Sequence, residues 1–304
     1  MKIICTGGAG FIGSHTAQLL EKRGHKVMVL DNFTTGKTQN LKGFHGKIQL
    51  GDITDMRLLE GIFDEFLPDA VIHLAAQSAI TNSIAAPTHD LRINASGTIN
   101  LLLQAKKHKV KRFVFSSTSA VYSEENTWFG LEERHHLSPQ NPYGISKMAA
   151  EQYVRTMFPN HLIMRYGNVY GPRQTPIGGN QVIARALQHF IKGDSFQVNG
   201  HGKQKRDFVY VGDVADFNVE ALTRSIIGTF NVASGKSYTV NEVLTQLEFL
   251  FDVPGYKWEH NNEIDPRSSI KMNVSKIYRD FGWKAYTPLK DGLQQTSDWW
   301  RELK

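Results

Sequence analysis

Short apolar runs alternate with segments of helical period through the first half of the chain. Runs rich in β-branched and apolar residues at Lys2–Thr6, Lys26–Asp31, Ile48–Gly51, Ala70–Leu74, Arg112–Ser116 and His161–Arg165 predict strands. Between several of them, apolar positions recur at helical spacing over Phe11–Arg23, Met56–Phe66, Leu91–Lys107 and Ser146–Phe158. Apolar strands that alternate with helices predict an α/β architecture, with a parallel sheet covered on both faces. After Arg165 the alternation weakens. Gly167, Gly171, Pro172, Pro176, Gly178 and Gly179 mark a loop-rich boundary. Helical patterns return at Asn180–Lys192 and Val214–Thr223. Another follows Thr239-Val240-Asn241-Glu242, which has the spacing of a capping box. Short strands are expected at Phe196–Val198, Phe208–Val209 and Phe230–Ala233. The expected organisation is a domain over 1–166 and a smaller C-terminal α/β region over 167–304, with the chain crossing between them.

Composition narrows the class. Of 304 residues, 40% are hydrophobic and 21% charged, enough for a sizeable core and unlike a disordered chain or a disulfide scaffold. The single cysteine, Cys5, cannot form an internal disulfide or supply a cysteine metal cluster, and no metal is expected. Beside a glycine loop, Cys5 reads as a small buried residue. No run approaches the length of a membrane helix, and Gly7, Gly8 and Gly10 interrupt the N-terminal segment where a secretion signal would be apolar. A soluble, cytoplasmic protein is expected. The formal charge of +6 is spread along the chain. Its densest stretch, Lys106 to Arg112, falls between a predicted helix and strand and reads as a solvated turn, so neither nucleic acid nor a membrane is an expected partner.

Candidate chemistry begins at Thr6-Gly7-Gly8-Ala9-Gly10-Phe11-Ile12-Gly13, between the first strand and the first helix. Glycines there let the chain turn tightly and let a pyrophosphate approach the backbone, while the helix N-terminus offers unpaired N–H groups. Asp31 ends the second strand roughly 18 residues after Gly13, where a carboxylate accepts ribose hydroxyls and repels a 2′-phosphate. This pattern predicts a Rossmann-like sheet that binds NAD in preference to NADP. Asp52, in Gly51-Asp52-Ile53, either meets the adenine or caps the following helix. Leu74, Ala75 and Ala76 end the fourth strand and are small enough to leave a crevice, whereas His73 inside that strand reads as a packed histidine.

In Asn141-Pro142-Tyr143-Gly144-Ile145-Ser146-Lys147, Tyr143 and Lys147 are four apart and share a helix face. A free phenol is a poor base at neutral pH. A nearby ammonium and a cationic nicotinamide favour the phenolate, and lowering its pKa by about 3 units takes roughly 4 kcal/mol. Upstream, Ser116-Ser117-Thr118-Ser119 ends the fifth strand and puts hydroxyls at the ligand-binding edge of the sheet.

At these residues the chain resembles the extended short-chain dehydrogenases/reductases, within the nucleotide-sugar epimerase/dehydratase group. The resemblance runs from the glycine loop through Asp31-Asn32, Gly51-Asp52-Ile53, His73-Leu-Ala-Ala-Gln77, Asn94 with Gly97-Thr98, Ser116-Ser117-Thr118 and Tyr143-x-x-x-Lys147 to Arg165-Tyr166-Gly-Asn168-Val-Tyr-Gly-Pro-Arg-Gln174. It implies that Gly7, Gly10, Phe11, Ile12, Gly13, Asp31, Asn32, Asp52, Ile53, Leu74, Ala75, Ala76, Asn94, Ser116, Tyr143, Lys147 and Tyr166 hold NAD. It further implies that Tyr143 is the catalytic base, supported by Lys147 and the Thr118 hydroxyl. Asn168, Asn180, Arg206 and, less cleanly aligned, Arg267 would hold a nucleoside diphosphate in the C-terminal substrate-binding region. Relatives pair through two helices per subunit, here Leu91–Lys107 and Ser146–Phe158, so a homodimer is expected.

The residues after Thr118 separate reactions within the group. Dehydratases of the group carry Thr-Asp-Glu there and decarboxylases Thr-Ser-Glu, whereas this chain has Thr118-Ser119-Ala120. Without that carboxylate, a transient oxidation to a 4-keto sugar and its re-reduction is expected, as in the UDP-glucose 4-epimerases. Uronate 4-epimerases tend to carry an arginine just after Gly-Pro-Arg, where Thr175 follows Gln174 here, which favours UDP-glucose, UDP-galactose or their N-acetyl forms over a uronate. Ser123 departs from the group's glycine after Val-Tyr. The alternatives are a UDP-glucuronate 4-epimerase, another nucleotide-sugar dehydratase or reductase and, more distantly, a non-enzymatic dinucleotide-sensing protein.

Overall fold

The computed structural model describes residues 1–123, 130–177, 181–253, 255–256, 258–261 and 270–303. In chain order the first part comprises β1 (Lys2–Thr6), α1 (Phe11–Lys22), β2 (Lys26–Asp31), β3 (Lys47–Leu50), α2 (Met56–Phe66) and β4 (Ala70–His73). Then come α3 (Ile80–Ala85), α4 (Pro87–Leu91), α5 (Gly97–Lys107), β5 (Arg112–Thr118), α6 (Pro142–Met157) and β6 (His161–Tyr166). The later part contains β7 (Asn168–Tyr170), α7 (Val182–Lys192), β8 (Phe196–Asn199), β9 (Lys205–Arg206), β10 (Phe208–Tyr210), α8 (Val211–Thr223) and β11 (Gly228–Val232). It closes with β12 (Tyr238–Thr239), α9 (Val240–Phe251), β13 (Trp258–Asn261), α10 (Ser275–Phe281) and α11 (Leu289–Arg301).

Seven strands form one parallel sheet in the order β11-β6-β5-β4-β1-β2-β3. Side chains alternate between its faces, as period two requires. Ile3, Cys5, Val114, Leu162 and Met164 pack on one side with Ala17 and Leu20 of α1 and Phe217 of α8. Ile4, Val71, Phe113, Phe115 and Ile163 pack on the other with Phe63 of α2, Leu101 of α5 and Val154 of α6. Each large aliphatic or aromatic side chain among these contributes about 1.5–3 kcal/mol. A third cluster, including Phe190, Phe196, Leu244, Leu247 and Trp300, belongs to the C-terminal region.

Two features depart from the sequence expectation. The predicted Leu91–Lys107 helix is split: α4 ends at Leu91, a π-helical turn spans Arg92–Ser96, and α5 begins at Gly97. The helix expected from Ser146 starts at Pro142, because Asn141 caps it by accepting from Gly144 N at 2.9 Å and Pro142 occupies the first turn. Tyr143 therefore sits in the first turn of α6. The chain crosses between the two regions at residues 211–232: β11 lies beside β6 and α8 packs on α1, so this segment completes the N-terminal sheet. The capping box at Thr239 is present, with both reciprocal bonds to Glu242. Asn180, where a helix was expected to begin, lies outside the described residues.

Candidate active site

The glycine loop follows β1 without slack. Gly7 has φ of +68°, and a Cβ there would lie 2.6 Å from Ala75 N, while one on Gly13 would lie 2.0 Å from Gly7 O. Only glycine lets the loop pack against both the end of β4 and its own helix. Helix α1 then begins with Gly10 as its N-cap, no side-chain cap and no acidic residue in the first turn. Its first N–H groups are thus available to an anion.

Asp31 ends β2 beside this loop. Its carboxylate accepts from Ala9 N at 2.9 Å and from Phe33 N at 2.8 Å, which holds the loop and leaves further lone pairs on both oxygens. Asp52 accepts from Asn32 Nδ2 at 2.9 Å and from Thr54 N and Oγ1 at 2.8 Å, and these bonds draw its pKa below the usual carboxylate range against the opposing effect of burial. The cap of α2 is Asp55, which accepts from Leu58 N, so the helix-cap reading of Asp52 is removed.

A cavity of about 690 Å³ runs along the carboxyl edge of the sheet. Its walls include Gly7, Gly10, Phe11, Ile12, Gly13, Asp31, Asn32, Asp52, Ile53, Leu74, Ala75, Ala76, Ser116, Tyr143, Lys147 and Tyr166. Residues from β1, β2, β4, β5 and β6 meet there because those strands are neighbours and their ends converge on one edge. The Tyr166 hydroxyl turns away, donating to Asn218 Oδ1 of α8 at 2.8 Å. Asn94 lies in the π-helical turn and does not line the cavity. Its amide bonds both the N–H and the carbonyl of Gln77 at 2.9 Å, and donates to Asp90 and Ser146, so it shapes the wall through Gln77. His73 is fully buried between Thr6 and Thr98 at 2.7 and 3.0 Å, and burial holds it well below its usual pKa as a packed neutral residue.

Thr118 ends β5, and its hydroxyl favours the ionised form of the Tyr143 phenol. The expected lowering of the phenol's pKa by Lys147 is not found. Burial pushes Tyr143 up to about 12, with the Thr118 hydroxyl opposing and the charge of Asp90 reinforcing the rise. Burial likewise pulls Lys147 down to about 7, against the pull of Glu151 and Asp90. The Lys147 Nζ lies 4.2 Å from the Phe115 ring centroid, a cation–π contact. The phenol therefore needs added positive charge beside it before it acts as a base at neutral pH.

The residues expected to hold a diphosphate lie after β6. Asn168 in β7 pairs with Phe208 in β10, and its N–H donates to Asp207 O at 2.7 Å. Arg206, two residues before Phe208, is buried and bonds Lys205 O at 2.8 Å. Neither lines the described cavity, and Asn180 and Arg267 lie outside the described residues. Sequence reasoning missed Gln181, Asp90 and Glu151. The last was legible as a carboxylate one helical turn beyond Lys147. Gln181 lines the cavity with Arg173 and Gln174, and each has a buried polar atom without a partner: Gln181 Oε1, Arg173 Nη1 and Gln174 Oε1. A cavity of this size, with an open helix N-terminus and unpaired polar atoms in its wall, fits a dinucleotide and a polar co-substrate.

Residues 3–233 match the NAD dependent epimerase/dehydratase family. The chain belongs to that family. Family relatives resemble it over nearly its whole length. A Methanocaldococcus jannaschii protein, provisionally named a UDP-glucose 4-epimerase, is 37% identical over 98% of this chain and 97% of its own. The UDP-glucose 4-epimerase of Thermotoga maritima, solved with UDP-glucose, superposes with a TM-score of 0.95 at 33% identity, covering 100% of this chain and 99% of that one. The Thermus thermophilus UDP-glucose 4-epimerase, solved with NAD, gives 0.91 at 34% identity over 99% of each chain. The matched span takes in the glycine loop, Asp31 and the Tyr143–Lys147 pair.

Proposed function

We propose that the protein is an NAD-dependent 4-epimerase of a UDP-hexose, acting on UDP-glucose and UDP-galactose or their N-acetyl forms. The observation that carries this reading is the distribution of carboxylates. Among the described residues lining the cavity, the acidic side chains are Asp31 and Asp52, both on the side of the glycine loop. Around Tyr143 there is the Thr118 hydroxyl and the buried Ala120 but, among the described residues, no lining carboxylate to serve the second acid–base step of a dehydration.

NAD would be held by the first N–H groups of α1, by Asp31 at its ribose, and by Lys147 and Tyr166 beside Tyr143. When bound, it would accept a hydride from sugar carbon 4 and return it to the opposite face of the 4-keto sugar, which inverts that carbon. Tyr143 takes the carbon-4 hydroxyl proton, with Thr118 aligning the phenol, and later gives the proton back. Asn168 and Arg206 would hold the diphosphate, the latter by a forked pair of N–H donors. Arg173 Nη2 donates to Gln18 Oε1 of α1 at 2.8 Å, while its Nη1 stays in the cavity wall without a partner.

The test is incubation of purified protein with UDP-galactose, UDP-N-acetylgalactosamine and UDP-galacturonate without added cofactor, followed by product chromatography. Interconversion of the neutral sugars supports the reading. A catalytic efficiency for the uronate tenfold above both neutral sugars overturns it.

We also propose a homodimer built on the helices from α3 to α6, which expose Ile84, Leu91, Leu103, Ile145 and Tyr153. Among the described residues, no helix is long and apolar enough to cross a membrane.

A further inference from the structure

Asp90, the fourth residue of α4, is 1% exposed. One carboxylate oxygen accepts from Gln77 Nε2 at 2.7 Å and from Asn94 Nδ2 at 3.1 Å, and the other accepts from Ser146 Oγ. Every one of these donors is neutral, and among the described residues Asp90 makes no ion pair within 4.0 Å. A buried carboxylate is costly unless a positive charge compensates it.

The charge of Asp90 acts on Lys147, opposing the lowering of its pKa by burial. Ser146, which holds Asp90, precedes Lys147, and its Oγ also lies 3.0 Å from the carbonyl of Tyr143. The other carboxylate acting on Lys147 is already matched. Glu151 receives two bonds from Arg165, at 2.9 and 2.7 Å, and one from Arg155 at 2.6 Å. Ser117 completes that cluster through its hydroxyl.

We propose that Asp90 is a positioning residue of the active site, which holds the first turn of α6 through Ser146 and sets a buried negative charge against the turn that carries Tyr143 and Lys147. The inference rests on the reading of Tyr143 and Lys147 as the working pair. The other titratable groups around it do not replace this charge. His73 of β4 is neutral, α3 carries none, Glu151 is bound by two arginines, and His89 and Arg92 flank Asp90 while lining the cavity. Asp90 raises the pKa of both Tyr143 and Lys147, so removing its charge lowers both.

Asp90→Asn isolates the charge. Its carbonyl oxygen can keep the bonds from Gln77 and Asn94. Its NH₂ can donate to Ser146 Oγ, whose own proton then turns to the Tyr143 carbonyl. The variant is expected to fold and to shift the pH profile of kcat toward lower pH by about half a unit or more. The Tyr143 phenolate absorbance, taken as the difference between each protein and its Tyr143→Phe counterpart, should also appear at lower pH. Profiles and phenolate titrations that superimpose on the wild type would overturn the role of the charge. Ser146→Ala leaves the charge and removes the strut, so kcat should fall while KM and the position of the pH profile stay put; an unchanged kcat would overturn the positioning role even if Asp90→Asn did not fold. Failure of the underlying reading is seen separately, as activity that survives Tyr143→Phe in the wild-type background.

Discussion

Tyr143 and Thr118 come from two different elements, and the chemistry depends on their meeting. Tyr143→Phe removes one oxygen from the cavity wall and leaves the glycine loop, Asp31 and Arg206 untouched. Turnover should fall by at least about 10²–10⁴-fold, the usual contribution of positioned proton transfer. NAD content and UDP affinity, measured by extraction and calorimetry, should change little. Thr118→Ala should cost less, because Thr118 aligns the phenol without taking the proton.

A second residue-scale test concerns Asp207, which is fully buried. It accepts from Ser234 N and Oγ at 2.8 and 2.7 Å, from Gly235 N at 3.1 Å and from Met272 N at 3.2 Å, yet burial still raises its pKa to about 6. A carboxyl raised in the folded state binds its proton more tightly there than in the unfolded chain. Its contribution is therefore complete below the unfolded pKa near 4 and is lost as pH rises toward 6, by roughly 2–3 kcal/mol. Asp207→Asn should be less stable overall, because its NH₂ would face a backbone N–H. Melting curves from pH 4 to 7 should show the wild type losing ground relative to that variant as pH rises. A constant difference would refute the assignment.

Among elements, α6 shows what could and could not be read in advance. Tyr143 and Lys147 were legible because their spacing is local. The start of the helix was not, since Pro142 and Tyr143 interrupt the apolar period and only the Asn141 cap reveals the extra turn. The π-helical turn was invisible for a related reason. One additional residue per turn leaves hydropathy almost unchanged, and its effect is to send Asn94 to Gln77, away from the cavity. Asp90 carried no signal of its own, because what marks it is burial among neutral donors brought from α6 and the loop after β4. Asn141→Ala should cost about 1 kcal/mol in stability. Because Tyr143 lies two residues from that cap, kcat should fall by more than a loss of stability alone explains, as steady-state kinetics at a temperature well below melting would show.

At the scale of the molecule, the parallel sheet of the first half followed from the alternation of strands and helices. The place of β11 did not, since nothing local in Gly228–Val232 names β6 as its partner. Charge on the whole molecule says little, but the choice of cofactor can be tested there. Protein purified and then denatured should release NAD and not NADP, because Asp31 faces the cavity where a 2′-phosphate would have to sit. Stoichiometric NADP in the extract would reverse the role given to Asp31.

The late arrival of β11 also bears on how the protein comes into being. During synthesis β6 is complete once Tyr166 has emerged, but its outer edge has no partner until Val232 follows. Throughout that interval the nascent sheet offers a row of unpaired backbone groups, and α1 lacks the cover of α8. Exposed edges of this kind recruit other strands, including those of neighbouring chains. A chain stopped after Tyr166 would hold the glycine loop, Asp31, Tyr143 and Lys147, yet it is expected to collect as aggregates. Extending the stop beyond Val232 should restore solubility before any nucleotide-sugar binding returns, which a series of stop positions read by sedimentation would reveal.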